Sequence, residues 1–170
     1  MVQIGSESMF PQVTSPRFLC DVMLARLARY LRAAGYDTEL AGNGMADRDI
    51  LRQAGEEGRW LLTLDRKIVE HKAAQGRVVM LRHDSLDDQA WMLLRHFAMN
   101  WTRHAFTRCL LDNALLRPAT EQEFESAPLD VRQAGSVLLA CPACRRVYWQ
   151  GSHYRRMMAR LRRWQELDGL

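Results

Sequence analysis

Short apolar runs alternate with helical patterns four times up to about residue 98. The apolar runs predict strands at residues 17–20, 38–41, 60–64 and 78–81. Apolar side chains at helical spacing predict helices at residues 22–34, from 47 up to Gly58, at 68–74 and at 86–97. This alternation is typical of an α/β protein, in which a parallel sheet is flanked by helices.

The first helix and the third strand carry the clearest signals. Leu24, Leu27 and Leu31 share one helical face, and Gly35 follows at the position where a left-handed residue ends a helix. Residues 60–64 form the most continuous apolar run of the chain, as expected for a central strand that is buried on both faces.

The pattern changes after Asn100. Three of the four cysteines lie in this later part: Cys109, Cys141 and Cys144. Strand-like runs at 137–140 and 147–149 flank the closest pair, which predicts a hairpin. A basic amphipathic helix at 154–164 follows, with arginines that include Arg160, Arg162 and Arg163.

Acidic side chains stand where predicted strands end and helices begin. Asp21 follows the first strand, Asp65 follows the third, and Asp47 opens the second helix, with Asp49 and Asp84 as further candidates. Strand ends meet at one edge of a parallel sheet, and converging carboxylates repel each other unless a proton or a cation lies between them. Mg²⁺ and Mn²⁺ prefer such oxygen ligands, so the pattern suggests a site for one of these ions. The alternative is that these aspartates only cap helices, since aspartate is favoured there for structural reasons.

Composition sets broad limits on the class of protein. The chain has 170 residues, 48% of them hydrophobic, enough for one domain or one domain with a small appendage. A net charge of +4 is compatible with a polyanionic partner. Because no apolar run could cross a bilayer and no secretory signal is visible, we expect a cytoplasmic protein without a membrane partner. Since disulfide frameworks are typical of secreted proteins and no secretory signal is visible, we expect the clustered cysteines to form a metal site and not a set of disulfides.

Several motifs together resemble a known family. They are residues 18–38, residues 57–66, Arg108-Cys109 with Asn113 and Leu115, Cys141-Pro142-Ala143-Cys144, residues 147–153, and Arg156-Met157. In this order they resemble the PIN-like ribonuclease domains with a C-terminal zinc ribbon, the family named for the C-terminal region of the Mut-seven exonuclease. The resemblance covers roughly residues 17–160.

The resemblance implies a PIN-like parallel sheet with a C-terminal zinc-ribbon-like β subdomain. It divides the chain into a flexible lead-in (1–16), a PIN-like nuclease domain (17–98), a zinc-ribbon-like subdomain (99–153) and a basic C-terminal helix (154–170). It also implies a metal-dependent enzyme that hydrolyses RNA. Carried over by position, Asp21, Asp47 and Asp65 are the acids of its active site, and Asp49 lies in an adjacent position that is often acidic.

The expected partner is RNA, single-stranded or structured, and several basic and aromatic residues are candidates for contacting it. Arg26 and Arg66 are candidates for phosphate contacts, with Arg29 and Arg32 weaker ones. Around the ribbon the candidates are Trp149, His153, Arg155 and Arg156, with Tyr148 as a further stacking surface. The alternative for each arginine is an ordinary solvated helix face.

The cysteine site departs from the family pattern at one position. A second pair of zinc ligands would begin at Cys109, but the position three residues later is Asp112. Asp112 could itself supply the fourth ligand beside Cys109, Cys141 and Cys144. The alternatives are that His104 or His153 completes the site, that zinc is lost, or that Cys141 and Cys144 form a disulfide.

The resulting hypothesis is a divalent-metal-dependent ribonuclease with a structural zinc. The competing hypothesis is a non-catalytic RNA-binding or scaffold protein that retains the fold and the ribbon.

Overall fold

The computed structural model describes residues 15–71, 76–82 and 85–166. Nearly all of the expected lead-in and the candidate Asp84 lie outside these ranges.

Four parallel strands form the main sheet in the order β2-β1-β3-β4. They are β1 (Phe18–Cys20), β2 (Thr38–Leu40), β3 (Trp60–Thr63) and β4 (Val78–Met80). Leu19 of β1 lies opposite Glu39 on one side and Leu61 on the other. The parallel α/β sheet expected from the alternation of elements is therefore confirmed.

Helices connect these strands with some changes from the predicted bounds. They are a 3₁₀ turn (Val22–Leu24), α1 (Ala25–Ala33), α2 (Asp47–Glu56), α3 (Arg66–Glu70) and α4 (Leu86–Phe97). The expected N-cap role of Asp47 is wrong, because Ala46 occupies the cap and Asp47 is the first helical residue. There its carboxylate still interacts favourably with the helix dipole.

Alternation along β1 divides the core between the two faces of the sheet. Phe18 and Cys20 pack with Leu27 and Leu93 from α1 and α4. Leu19, on the other face, packs with residues of α2, β3 and α3. Both faces are covered, so the central strands β1 and β3 are almost wholly apolar, whereas the edge strand β2 carries Thr38 and Glu39.

A smaller antiparallel sheet follows, in the order β5-β6-β7. Its strands are β5 (Arg117–Pro118), β6 (Leu139–Ala140) and β7 (Val147–Tyr148). Two short helices between β5 and β6 were not predicted: α5 (Glu121–Glu125) and α6 (Leu129–Gln133). The Thr120–Glu123 capping box that starts α5 was a sequence signal for it.

The last helix, α7 (Ser152–Glu166), returns to the main core. Its Trp164 is fully buried, with ring centroids 5.0 Å from Tyr30 of α1 and 4.9 Å from Trp101. Among the described helices none is both long and apolar enough to span a membrane.

Asn113 attaches the region of the first cysteine to the edge of the main sheet. Its Oδ1 accepts a hydrogen bond from the backbone N–H of Thr38 in β2, at 2.9 Å. Its Nδ2 donates to Asp37 at 2.8 Å and to Glu39 at 3.0 Å. Since β2 is an edge strand, Asn113 satisfies a backbone donor that no further strand pairs.

Arg32 reinforces this attachment, and its expected solvent-facing role is wrong. The side chain is buried and donates to the carbonyl of Thr38 at 2.8 Å. It also donates to the carbonyls of Leu110 at 3.2 Å and Leu111 at 2.6 Å. A guanidinium with five donors suits a position where several carbonyls converge.

Asp37 is the acidic centre of the same region. It accepts hydrogen bonds from Arg59 at 2.6 Å and from Asn113, and Arg17 lies at 3.2 Å. Burial opposes ionisation, but the hydrogen bonds from Arg59 and Asn113 and the positive charges of Arg59 and Arg108 lower the pKa of Asp37 from 3.8 to about 2.

We predict that Asn113→Ala lowers the free energy of unfolding by about 3 kcal/mol, because it removes three hydrogen bonds and leaves the Thr38 N–H buried without its acceptor. Urea denaturation measures the effect. The matched control is Asn43→Ala in an exposed loop, which should change the value by less than about 0.5 kcal/mol. Equal effects of the two substitutions would contradict the role given to Asn113.

We predict that Asp37 contributes to stability in acid. With its folded-state pKa near 2 and an ordinary value of 3.8, its contribution is complete above about pH 4 and is lost as the pH falls towards 2. In Asp37→Asn the free energy of unfolding, measured between about pH 5 and about pH 2, should fall less steeply, by up to about 1.4 kcal/mol per pH unit. Asp130→Asn, at an exposed carboxylate of α6, should keep the wild-type slope, and an unchanged slope in Asp37→Asn would refute the prediction.

Candidate active site and metal centre

Three aspartates follow the carboxyl ends of three neighbouring strands. Asp21 comes directly after β1, Asp65 comes two residues after the end of β3, and Asp47 opens α2 after the loop that leaves β2. Since β2, β1 and β3 are adjacent and parallel, these ends share one edge of the sheet, called here the acidic edge. Their carboxylates are not gathered in one tight group, because the described residues contain a close set of potential metal ligands only at the cysteines.

Thr63 links two of these aspartates. The fully buried Thr63 hydroxyl donates to Oδ2 of Asp21 at 3.0 Å and accepts from the backbone N–H of Asp65 at 3.0 Å. Thr63 and Asp65 are two residues apart at the end of a strand, so the alternation of side chains was a signal that could have identified Thr63.

Asp21 is nearly buried, with 7% of its surface exposed. In the described part of the chain no lysine, arginine or histidine forms an ion pair with it. A buried carboxylate without a cationic partner is costly unless a proton or a cation neutralises it. The oxygen chemistry of this position therefore fits Mg²⁺ or Mn²⁺.

The other acidic candidates have different surroundings. Asp65 caps α3, where its Oδ1 accepts from the backbone N–H of Lys67 at 2.8 Å. The capping alternative thus holds for one oxygen of Asp65. Asp49 forms an ion pair with Arg52 at 3.2 Å, and Asp47 is half-buried in the first turn of α2.

The cysteine cluster consists of Cys109, Asp112, Cys141 and Cys144. One ligand atom from each lies within 4.8 Å of all the others. The sulfurs of Cys109 and Cys144 are 3.7 Å apart, and the Cys141 thiol donates to both carboxylate oxygens of Asp112 at 3.2 Å. Three sulfurs and one carboxylate at these separations could hold a metal such as zinc.

The two halves of the cluster have the same backbone turn. The carbonyls of Cys109 and Cys141 each accept from the N–H four residues later, at 3.1 and 3.0 Å. Their own N–H groups donate to the carbonyl five residues later, at 2.8 and 3.0 Å. Asn113 and Arg145, at matching positions, are both left-handed, with φ of 69° and 59°. Asp112 therefore occupies in the first turn the position that a cysteine occupies in the second.

The structure contains neither a histidine as the fourth member of this cluster nor a disulfide within it. Neither His104 nor His153 belongs to the cluster. All four cysteines are free, so Cys141 and Cys144 form no disulfide.

Within the cluster, the pKa of the carboxyl group is lowered and the pKa values of two thiols are raised. Burial opposes ionisation of Asp112, yet the thiols of Cys144, Cys109 and Cys141 together lower its pKa to about 2. Burial raises the pKa of Cys144 to about 12 and also raises that of Cys141. Because a thiol must lose its proton to become a zinc ligand, metal binding would release protons from the cluster.

Tyr148 contacts this cluster through its hydroxyl, and its side chain also lines a groove beside the small sheet. Its hydroxyl lies 3.0 Å from the sulfur of Cys109 and accepts from the backbone N–H of Leu110 at 3.1 Å. Burial, with the sulfur contact, raises the pKa of Tyr148.

The candidate RNA-contacting residues occupy two regions. Arg26 is exposed on α1, and Arg66 is exposed at the start of α3 beside Asp65. Trp149 and His153 line a groove of about 380 Å³ between the small sheet and the beginning of α7. The remaining candidates, Arg155 and Arg156, are exposed on α7, and Arg155 donates to the carbonyl of Gln150 at 3.1 Å.

Comparisons with known proteins relate most of the chain to one family. Residues 16–161 match the family model described as Mut7-C RNAse domain. Over 111 residues, or 61% of the chain, the sequence is 37% identical to the Homo sapiens protein named Exonuclease mut-7 homolog. That alignment spans only 13% of the human protein's length. No solved structure matches the chain significantly.

Proposed function

Since this chain belongs to the Mut7-C RNase domain family, we propose that it is a divalent-metal-dependent ribonuclease of the PIN-like hydrolase class, with the acidic edge as its active site. The match confirms the family resemblance recognised in the sequence, and the family description and the relative's name both indicate a nuclease. RNA is the substrate that the family description implies.

One observation supports the choice of site more than any other: Asp21 is a nearly buried carboxylate, and no cationic side chain among the described residues forms an ion pair with it. The Thr63 hydroxyl holds one of its oxygens, which fixes the carboxylate in one orientation and leaves the other oxygen for a ligand. The backbone N–H of Asp65 donates to the same Thr63 hydroxyl, and one oxygen of its carboxylate is held by the cap on α3. Asp47 lies beyond the neighbouring strand, with Asp49 behind it in a salt bridge.

The chemistry requires both a cation and positively charged side chains. When bound, Mg²⁺ or Mn²⁺ would supply Lewis acidity and would lower the pKa of a water molecule. Asp21, Asp47 and Asp65 would hold the ion, with Asp84 as a further candidate. The exposed Arg26 and Arg66 lie on the two elements that follow Asp21 and Asp65, which suits them to contact the phosphates of the RNA.

We further propose that the cysteine cluster holds a structural zinc as Cys₃Asp. The four ligand atoms lie together, and the two turns that carry them have the same hydrogen bonds. Zinc accepts carboxylate oxygen as well as thiolate sulfur, so Asp112 preserves the count of four protein ligands.

We predict that the wild-type chain cleaves labelled single-stranded RNA with Mn²⁺ or Mg²⁺, and that Asp21→Asn and Asp65→Asn reduce the rate at least about 100-fold. The reason is that loss of a metal-binding carboxylate should cost no less than the 10- to 100-fold typical of an outer-shell partner. Gel separation of end-labelled products measures the rate.

The matched control is Asp130→Asn, the same chemical change on the exposed surface of α6, which should cleave like the wild type. Thermal melting verifies that each variant is folded. Equal cleavage by all variants would assign the activity to a contaminant. No cleavage by any of them would favour the non-catalytic RNA-binding hypothesis, which the separation of the three carboxylates also favours.

We predict about one equivalent of zinc per chain in protein purified without chelators, measured by elemental analysis. Asp112→Ala should lower zinc affinity at least about tenfold in competition with a chromogenic chelator, and Asp112→Cys should retain the metal. Asp130→Ala serves as the control. Less than about a tenth of an equivalent in the wild type would refute the zinc proposal, and unchanged affinity in Asp112→Ala would show that Asp112 is not a ligand.

A further inference from the structure

The groove beside the small sheet has the size and lining of a ligand site. Its volume of about 380 Å³ lies within the range of about 300–1,000 Å³ that is common for small-molecule pockets. Phe106, Leu110 and Val147 contribute apolar surface, while Trp149 and Tyr154 add aromatic rings. This lining suits a flat, largely apolar group such as a nucleobase.

The charge around the groove has one sign. Arg29 from α1 and Arg146 from the second cysteine turn both line it, together with His153, and none of the described aspartates or glutamates does. Arg29 and Arg146 are exposed, and neither guanidinium is bound by another side chain in the described ranges. An apolar groove with unpaired cationic groups complements a ligand that combines bases with phosphates.

The indole of Trp149 occupies space that is free only because residue 151 is a glycine. A Cβ at position 151 would lie 2.7 Å from the indole Nε1 and 3.2 Å from Cδ1 of Trp149. Even a methyl group at this position must therefore displace the indole. The groove thus depends on a glycine that itself need not touch the ligand.

Helix α1 connects the groove to the acidic edge. Met23 of the 3₁₀ turn and Arg26 and Arg29 of α1 are all exposed and follow one another at three-residue spacing, so the two arginines form a stripe on the helix surface. Arg29 lies eight residues after Asp21, which corresponds to about 12 to 14 Å, because the 3₁₀ turn rises about 2.0 Å and α1 about 1.5 Å per residue. A few nucleotides of single strand can span this distance.

We propose that the groove binds an unpaired base of single-stranded RNA, and that Arg29 and Arg26 carry the phosphates that lead from this base to the acidic edge. The base binds by stacking on aromatic surface, which a base inside a duplex does not expose. The position of the base relative to the cleaved bond rests on the proposed ribonuclease function, whereas the binding itself does not.

Fluorescence anisotropy with a labelled RNA of about ten nucleotides, without added Mg²⁺ or Mn²⁺, tests the groove directly. Single-stranded RNA should bind at least about tenfold more tightly than the same sequence as a duplex. Trp149→Ala should weaken binding about tenfold, and so should Gly151→Ala, which keeps every groove-lining side chain. Because Gly151→Ala changes only one methyl group, it preserves the test if Trp149→Ala fails to fold.

The arginine stripe is tested by salt dependence. Arg29→Ala should reduce the slope of log affinity against log salt concentration by about 0.7, the value for one phosphate contact with a single strand. Arg162→Ala removes the same charge from an exposed position on α7 outside the groove and should leave the affinity near that of the wild type. Equal effects of Arg29→Ala and Arg162→Ala would overturn the assignment of the stripe.

Cleavage and binding together distinguish the two proposals. If the wild type cleaves RNA but Trp149→Ala and Gly151→Ala bind it with unchanged affinity, the groove proposal fails and the nuclease proposal stands. If no chain cleaves but both variants weaken binding, the groove proposal stands and the nuclease proposal fails. Equal affinity for single strand and duplex would also overturn the groove proposal.

Discussion

The amide side chain of Asn113 joins the first cysteine turn to the edge of the parallel sheet, and the position of the cysteine cluster against that sheet depends on this join. Its three hydrogen bonds reach Thr38, Asp37 and Glu39, at the beginning of β2. Arg32 adds contacts from α1 to the same turn. Because the amide satisfies a backbone donor of an edge strand, the attachment also protects that edge from pairing with another chain.

Helix α1 lies between this attachment and the acidic edge. It follows Asp21 at one end of the sheet and is terminated at the other by Gly35, whose φ is +94°. There the backbone N–H of Phe106 donates to the carbonyl of Ala33 at 2.6 Å, and a Cβ at Gly35 would overlap the carbonyl of His104. Helix α1 thus runs from the neighbourhood of Asp21 to the region that carries the first cysteine.

Local patterns were sufficient to predict the main sheet and the residues at its strand ends. The periodicity that placed Leu27 and Leu31 in the core is a property of the helix itself. The spacing of Cys141 and Cys144 likewise defines one turn of a metal site without reference to the rest of the chain. The capping role of Asp65 was also a local alternative, and the structure contains that cap.

The sequence by itself thus determined the α/β class, the acids at the strand ends and the cysteine positions, because each depends on neighbours within a few residues. Only the tertiary structure decided that Asp112 faces three sulfurs, that Arg32 is buried, and that Thr63 holds Asp21 across 42 residues. Likewise, the Thr38–Asn113 hydrogen bond spans 75 residues. Such contacts depend on how separate elements pack, and a hydrogen bond between distant residues leaves no periodic signal in the chain.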